Sequence, residues 1–154
     1  MIPEIQASFE KIMLPMQLKD NGDLASNGYI DTCQGGVRWG HLRVKIITGT
    51  VDAALGSTAE GTAVSVAECD TTDGTYTDIT GAALADAIAA TEGDSIFAID
   101  IDLQKAHKRY MQVVAPHAGD GTTGVYAMIL GQLTKPDVAP TTAAGQGLAE
   151  HIVA

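Results

Sequence analysis

The sequence predicts an all-β domain, a sandwich or a barrel, and three observations support this prediction. Aromatic residues make up only 5% of the 154 residues, whereas 17 residues are glycine, a balance that suits turn-rich β structure better than a helical core. From Tyr29 onward, short segments of alternating apolar and polar residues are separated by clusters of Gly, Asp, Thr and Ser, as expected of antiparallel strands. The hydrophobic fraction of 45% is enough to build one buried core.

The chain is predicted to consist of an N-terminal arm (1–28), a β-sandwich domain (29–133) and an extended C-terminal tail (134–154). The arm is rich in apolar residues, but Pro3 and Pro15 interrupt it, so we expect at most a short helix there. In the tail, Pro136 and Pro140 lack the backbone N–H that a sheet requires, which predicts an extended conformation.

Alternation of apolar and polar residues predicts the strands of the central domain. The predicted strands are 42–51, 63–69, 97–103, 109–115 and 125–133. The alternation is cleanest in 97–103, where Asp100 and Asp102 lie on the face opposite the apolar residues.

Two predictions concern how these segments are arranged. Segments 109–115 and 125–133 are joined by the glycine-rich connection 117–124, which predicts that they pair as antiparallel neighbours at the centre of a sheet. Residues 82–91 are alanine-rich and lie between two glycines, so we expect one short helix there, packed over one end of the sandwich.

The charge balance limits the possible partners. The 19 acidic and 9 basic residues give a net charge of −10, which lacks the basic footprint of a non-specific nucleic-acid binder. No segment approaches the roughly 18 consecutive apolar residues of a membrane-spanning helix, and no export signal is evident, so we expect a soluble protein made in the cytosol. Cys33 and Cys69 are accordingly expected to be free thiols, with a disulfide as the alternative if the protein acts outside the cell.

No combination of residues predicts catalysis, a metal site or a cofactor. Asp100 and Asp102 share a strand face and could approach a hard cation, but no third ligand lies beside them, so a solvated sheet face is the favoured interpretation. The four histidines form no pair at the spacing of four that zinc proteases use. The glycine-rich segment 119–124 lacks the lysine of a phosphate-binding loop. We therefore expect a protein that is not an enzyme.

Residues that could contact a partner are easier to identify. Arg38 and Trp39 are the best candidates, since Arg and Trp are enriched at the energetic centre of interfaces, although Trp39 could instead fill the core. Lys108 and Arg109 precede a strand, where they could equally keep a sheet edge soluble. The candidate contact residues are Ile5, Phe9, Ile12, Leu14, Arg38, Trp39, His41, Lys108, Arg109, Leu148 and Ile152.

Several features between residues 29 and 136 occur in a characteristic order. They are a strand containing 64–68, an Asp- and Thr-rich turn at 70–79, a strand with paired aspartates near position 100, the step Lys108-Arg109-Tyr110, and a closing strand at 125–133. This order resembles small structural proteins of tailed bacteriophage virions, in particular the decoration, or cement, proteins on the outside of phage heads. The shared features are strands and turns, without a catalytic signature.

The resemblance implies a jelly-roll or similar β-sandwich, a homotrimer, binding to the major capsid protein, and a location on the outer capsid surface after assembly in the bacterial cytoplasm. The residues agree, because interrupted apolar ends would become ordered against neighbouring subunits and an acidic protein is repelled by packaged DNA. The alternative is a virion surface or tail component that binds host-cell carbohydrate, although the low aromatic content argues against it.

Overall fold

A computed structural model of the protein describes residues 8–19, 28–51, 54–56, 63–116 and 124–137. These residues form two antiparallel four-stranded sheets, ordered β1-β8-β3-β6 and β2-β7-β4-β5. The strands are β1 (Ser8–Lys19), β2 (Tyr29–Asp31), β3 (Trp39–Val51), β4 (Ser65–Cys69), β5 (Thr77–Ala83), β6 (Ile96–Asp102), β7 (Tyr110–Val114) and β8 (Val125–Pro136).

The five strands predicted from alternation are confirmed as β3, β4, β6, β7 and β8, with ends that differ by a few residues. In β3, Leu42, Val44 and Ile46 are buried, whereas the intervening side chains face outward. Residues from both sheets share a single hydrophobic core. Its largest fully buried side chains are Trp39, Met13, Ile30, Leu42, Ile46, Leu55, Ile88, Met111, Ile129 and Leu133.

The interpretation of the N-terminal segment as an arm is wrong for Ser8–Lys19. These residues form an edge strand that pairs with β8, and Phe9 and Met13 contribute to the core. The pairing shifts register on both sides of Leu14, and an edge position with such irregularities tolerates Pro15, which cannot donate a backbone hydrogen bond. Lys11 also joins the two sheets, because its Nζ donates to the carbonyl of Tyr29.

The predicted helix at 82–91 is also wrong. Strand β5 continues to Ala83, and Ile88 then forms an antiparallel bridge with Leu55, with N–H···O distances of 2.9 and 2.8 Å. Burial of both side chains in the core outweighs the helical preference of the alanines around them. Within the described ranges, the only helical element is a 3-10 turn at Gln34–Gly36.

Two predictions about the chain after residue 109 also need correction. Strands β7 and β8 do not pair with each other, since β7 lies between β2 and β4 and β8 lies between β1 and β3. Alternation shows which face of a strand is buried but does not identify the neighbouring strand.

The extended tail does not begin at residue 134, because β8 continues to Pro136, which lies opposite Trp39. Residues 138–154 lie outside the described part of the chain.

Candidate functional site

The outer face of the first sheet carries apolar side chains on adjacent strands. Val44 and Ile46 of β3 are buried in the core, so Ile47 points to the opposite, outer face. Ile47 lies opposite Ile96 of β6 and Met128 of β8. Because directly opposed residues of antiparallel strands share a face, the three side chains form one cross-strand row.

The same set of apolar residues extends to the edge strand β1. Leu130 and Tyr126 share the face of Met128 because they are two positions away from it along β8. Leu130 lies opposite Ile12 of β1. This surface is called the apolar face here, and it consists of Ile12, Ile47, Ile96, Tyr126, Met128 and Leu130.

Half of the apolar face is strongly exposed. The exposed fractions are 70% for Ile96, 57% for Ile12 and 44% for Tyr126, while the other three side chains are half-buried. Contiguous apolar patches of this kind are uncommon on soluble monomers, and they mark sites of protein interaction. The arrangement spans all four strands of the first sheet.

The rest of the outer face is polar. It includes Lys45, which lies opposite Leu130, and an ion pair between Arg43 and Asp100. The Arg43 guanidinium binds both carboxylate oxygens of Asp100, at 2.8 and 3.1 Å. These hydrogen bonds hold the pKa of Asp100 below its ordinary value. His41 lies 3.2 Å from Asp100 through Nε2 and 3.2 Å from Thr134 Oγ1 through Nδ1. Asp100 is therefore engaged by the Arg43 guanidinium and the His41 ring, and its side chain stays exposed, which supports the interpretation of its strand face as solvated.

Two predicted contact residues belong to the core. Trp39 is 2% exposed and Phe9 is 6% exposed, and their rings pack with centroids 6.2 Å apart. The alternative that Trp39 fills the core is therefore confirmed. The indole Nε1 of Trp39 is buried and makes no hydrogen bond with any described residue.

The other candidates are distributed over the surface. Ile12 belongs to the apolar face and His41 to the polar part of the same sheet. Leu14 lies in β1 with its backbone opposite Ile129. Three candidates lie outside the described residues, namely Ile5, Leu148 and Ile152.

The structure brings four candidates together at one end of the sheets. Arg38, Trp39, Lys108 and Arg109 all line a cleft of about 320 Å³. Arg109 makes a two-pronged ion pair with Asp31, at 2.8 and 2.9 Å, which raises the pKa of the guanidinium. Two pairs of consecutive residues that are far apart in the sequence thus form one site, separate from the apolar face.

Sequence reasoning did not identify most of the apolar face. The alternation within 42–51 places Ile47 on the outward side of its strand, but the sequence alone does not identify it as a contact residue. Three of the other four missed residues lie in an apolar segment in which the inner and outer faces look alike, and the fourth, Ile96, lies just before the predicted strand 97–103. Only the register between strands shows that the four are neighbours. They are Ile96, Tyr126, Met128 and Leu130.

No protein-family model matches the sequence, and no curated protein matches it. In the described ranges, no three or more His, Cys, Asp or Glu side chains are grouped so that they could hold a metal ion. The same part of the chain contains no helix with the length and apolar character needed to span a membrane.

Proposed function

We propose that this protein is a structural capsid decoration, or cement, protein that binds the outer surface of a phage head and stabilises the shell by bridging major capsid subunits. The observation that carries the proposal is the apolar face, which extends across all four strands of the first sheet. Burying apolar surface contributes about 25 cal/mol per Å², so this face provides a driving force for assembly.

The proposal includes a jelly-roll topology, and the strand order supports it. The paired strands are β1 with β8, β2 with β7, β3 with β6, and β4 with β5, and these four pairs alternate between the two sheets. This nested pattern is what results when one long antiparallel hairpin rolls up into two sheets. Eight-stranded jelly rolls of this kind are common in viral capsid proteins.

Charge supports a position outside the shell and a role in binding rather than catalysis. The net charge of −10 opposes contact with packaged DNA. Two acidic groups are engaged within the protein, Asp100 by Arg43 at 2.8 Å and Glu68 by His107 at 2.9 Å. In the proposed assembly, a homotrimer presents three apolar faces to adjoining capsid subunits, and each bound copy favours the assembled shell by mass action.

The test uses undecorated heads and two variants of the apolar face. Ile12→Asp and Ile96→Asp each place a charge on an exposed side chain, so folding is preserved while burial against a partner is penalised. The matched control is Val114→Asp, which changes an exposed apolar residue of the second sheet. We expect the wild type and the control to sediment with heads and to raise the temperature of DNA release, and both apolar-face variants to fail.

Two results would overturn the proposal. One is a wild-type protein that does not bind heads at any concentration tested. The other is binding that survives both apolar-face substitutions. Light scattering of the free protein tests the trimer separately. If the protein has a monomeric mass in solution and also binds to heads as a monomer, the trimer is removed from the proposal.

A further inference from the structure

The cleft at the end of the sheets has an unusual charge for this protein. It lies where β3 begins and β6 ends, away from the apolar face. Its charged lining consists of Arg38, Lys105, Lys108, Arg109 and Asp70, and the His107 ring lies among them. Four of the nine lysines and arginines of a chain with net charge −10 therefore converge on one cleft.

Not all of this positive charge is balanced within the protein. Asp31 pairs with Arg109, and Glu68 lies at hydrogen-bond distance from the His107 ring. The side chains of Arg38, Lys105 and Lys108 make no ion pair with any residue in the described ranges. Against these three cations the lining supplies one further carboxylate, that of Asp70. The cleft therefore keeps an excess of positive charge.

The polar groups around the cleft are mainly hydrogen-bond donors. Lysine and arginine side chains donate hydrogen bonds and do not accept them. Arg38, Lys105, Lys108 and Arg109 provide these donors, and Trp39 contributes to the wall. A ligand that suits such a lining carries negative charge and presents acceptor oxygens.

We propose that this cleft is a binding site for an oxyanion, either a phosphate or a carboxylate group. The proposal is independent of capsid decoration, because it uses none of the residues of the apolar face. Free phosphate is one source of such a group. A second copy of the chain is the other source. Residues 84–95, at the opposite end of the sheets, contain no basic residue and carry three exposed acidic residues, Asp86, Glu92 and Asp94.

The first experiment titrates the protein with inorganic phosphate at constant ionic strength, using chloride as the reference anion. The chain has one tryptophan, so the single indole N–H resonance in a nitrogen–proton correlation spectrum reports on the cleft. We expect a saturable shift of this resonance with phosphate and none with chloride. In the Lys105→Gln, Lys108→Gln double variant, affinity falls by about tenfold or more.

The matched control is Lys45→Gln, which removes a cation from the outer face of the first sheet and leaves the cleft unchanged. Its phosphate titration is expected to match that of the wild type. A second arm measures self-association by sedimentation at low salt. A second copy of the chain is identified as the source of the oxyanion if phosphate suppresses self-association and the double cleft variant lacks it. The Asp86→Asn, Glu92→Gln variant should then also associate more weakly.

The outcomes separate the sources and can reject the site. Phosphate binding without self-association identifies a free anion as the ligand. The proposal is overturned if the protein shows neither phosphate binding nor self-association. It is also overturned if the Lys105→Gln, Lys108→Gln variant is folded by circular dichroism and binds phosphate as tightly as the wild type. Neither result bears on the binding of heads through the apolar face.

Discussion

The ring of Phe9 packs against the indole of Trp39, with centroids 6.2 Å apart and ring planes inclined by 49°. Phe9 belongs to the edge strand β1, and Trp39 begins β3, on the other side of β8. The contact therefore joins the N-terminal segment to the core of the domain.

Replacing Phe9 with alanine tests how firmly β1 belongs to the fold. Phe9→Ala removes a buried ring and leaves a cavity beside Trp39, so we expect a loss of about 3–5 kcal/mol in the free energy of unfolding. Urea denaturation followed by the fluorescence of Trp39 measures the loss. Ile12→Ala in the same strand is the control and should change stability by no more than about 0.5 kcal/mol, because Ile12 is exposed. Equal effects of the two substitutions would contradict the assignment of β1 to the core.

Thr48 is the only buried polar residue within the described ranges, and it attaches residues 92–95 to β3. Its Oγ1 lies 3.3 Å from the backbone nitrogen of Ser95, 3.2 Å from the Ser95 carbonyl oxygen and 3.3 Å from the Glu92 carbonyl oxygen. Thr48→Val keeps the shape but removes the hydroxyl that bonds to these backbone groups, which should cost about 0.5–1.5 kcal/mol.

Thr50→Val is the matched control for Thr48→Val. Thr50 lies two positions further along β3 but is exposed, so its substitution is expected to be neutral within about 0.5 kcal/mol. Thermal unfolding of both variants gives the comparison. A neutral Thr48→Val would show that the hydroxyl does not hold residues 92–95 in place.

The ion pairs predict how stability depends on acidity. Hydrogen bonds from Arg109 and Arg43 lower the pKa of Asp31 and of Asp100, respectively, below the ordinary value of 3.8. Both carboxylates therefore stabilise the folded state above that pH, and this contribution is lost as the pH falls through their lowered folded-state pKa values. Thermal unfolding of the wild type between pH 7 and pH 2 should show a melting temperature that drops steeply at the acidic end.

The double variant Asp31→Asn, Asp100→Asn isolates this contribution. It should melt at a lower temperature than the wild type at neutral pH, and the difference should shrink at the acidic end. The control is Asp86→Asn, because Asp86 is exposed and makes no ion pair within the described part of the chain. A double variant with the same acid dependence as the wild type would contradict the assigned pKa shifts.

The two cysteines should differ in reactivity. Both are free, as the sequence predicts, but Cys33 is half-buried and lines the basic cleft, whereas Cys69 is buried. A thiol reagent such as dithionitrobenzoate should therefore modify one thiol per chain rapidly in the native protein and the second only on unfolding. Cys33→Ser should abolish the rapid phase, and a rapid phase that persists in this variant would contradict the difference in burial.

Sequence reasoning succeeded where the necessary information is local. The alternation of Leu42, Val44 and Ile46 with outward-facing residues is visible in the sequence, because it depends only on the period of a strand. Strand β1 lacked this signal, since Pro15 and two shifts of register disturb its alternation. The alanines around Ile88 favour a helix in isolation, but pairing of Ile88 with Leu55 decides the structure, and that contact is distant in sequence.

The candidate sites were harder to predict for the same reason. Ile12 was identified as a contact residue, but as part of an arm rather than of a sheet face. Its neighbour Leu130 lies on β8, and nothing in the sequence of β1 or β8 indicates which residues of the two strands lie opposite each other. The basic cleft shows the same limit, because Arg38 and Lys108 become neighbours only when both sheets have formed.

The position of β8 between β1 and β3 has a consequence for synthesis of the protein. While residues 125–136 are still inside the ribosome, β1 has no neighbour in its own sheet and β3 has one open edge. The nascent chain must therefore keep exposed apolar strands from pairing with other chains until its closing strand emerges. Early binding by a chaperone that shields β3 should therefore raise the yield of native protein.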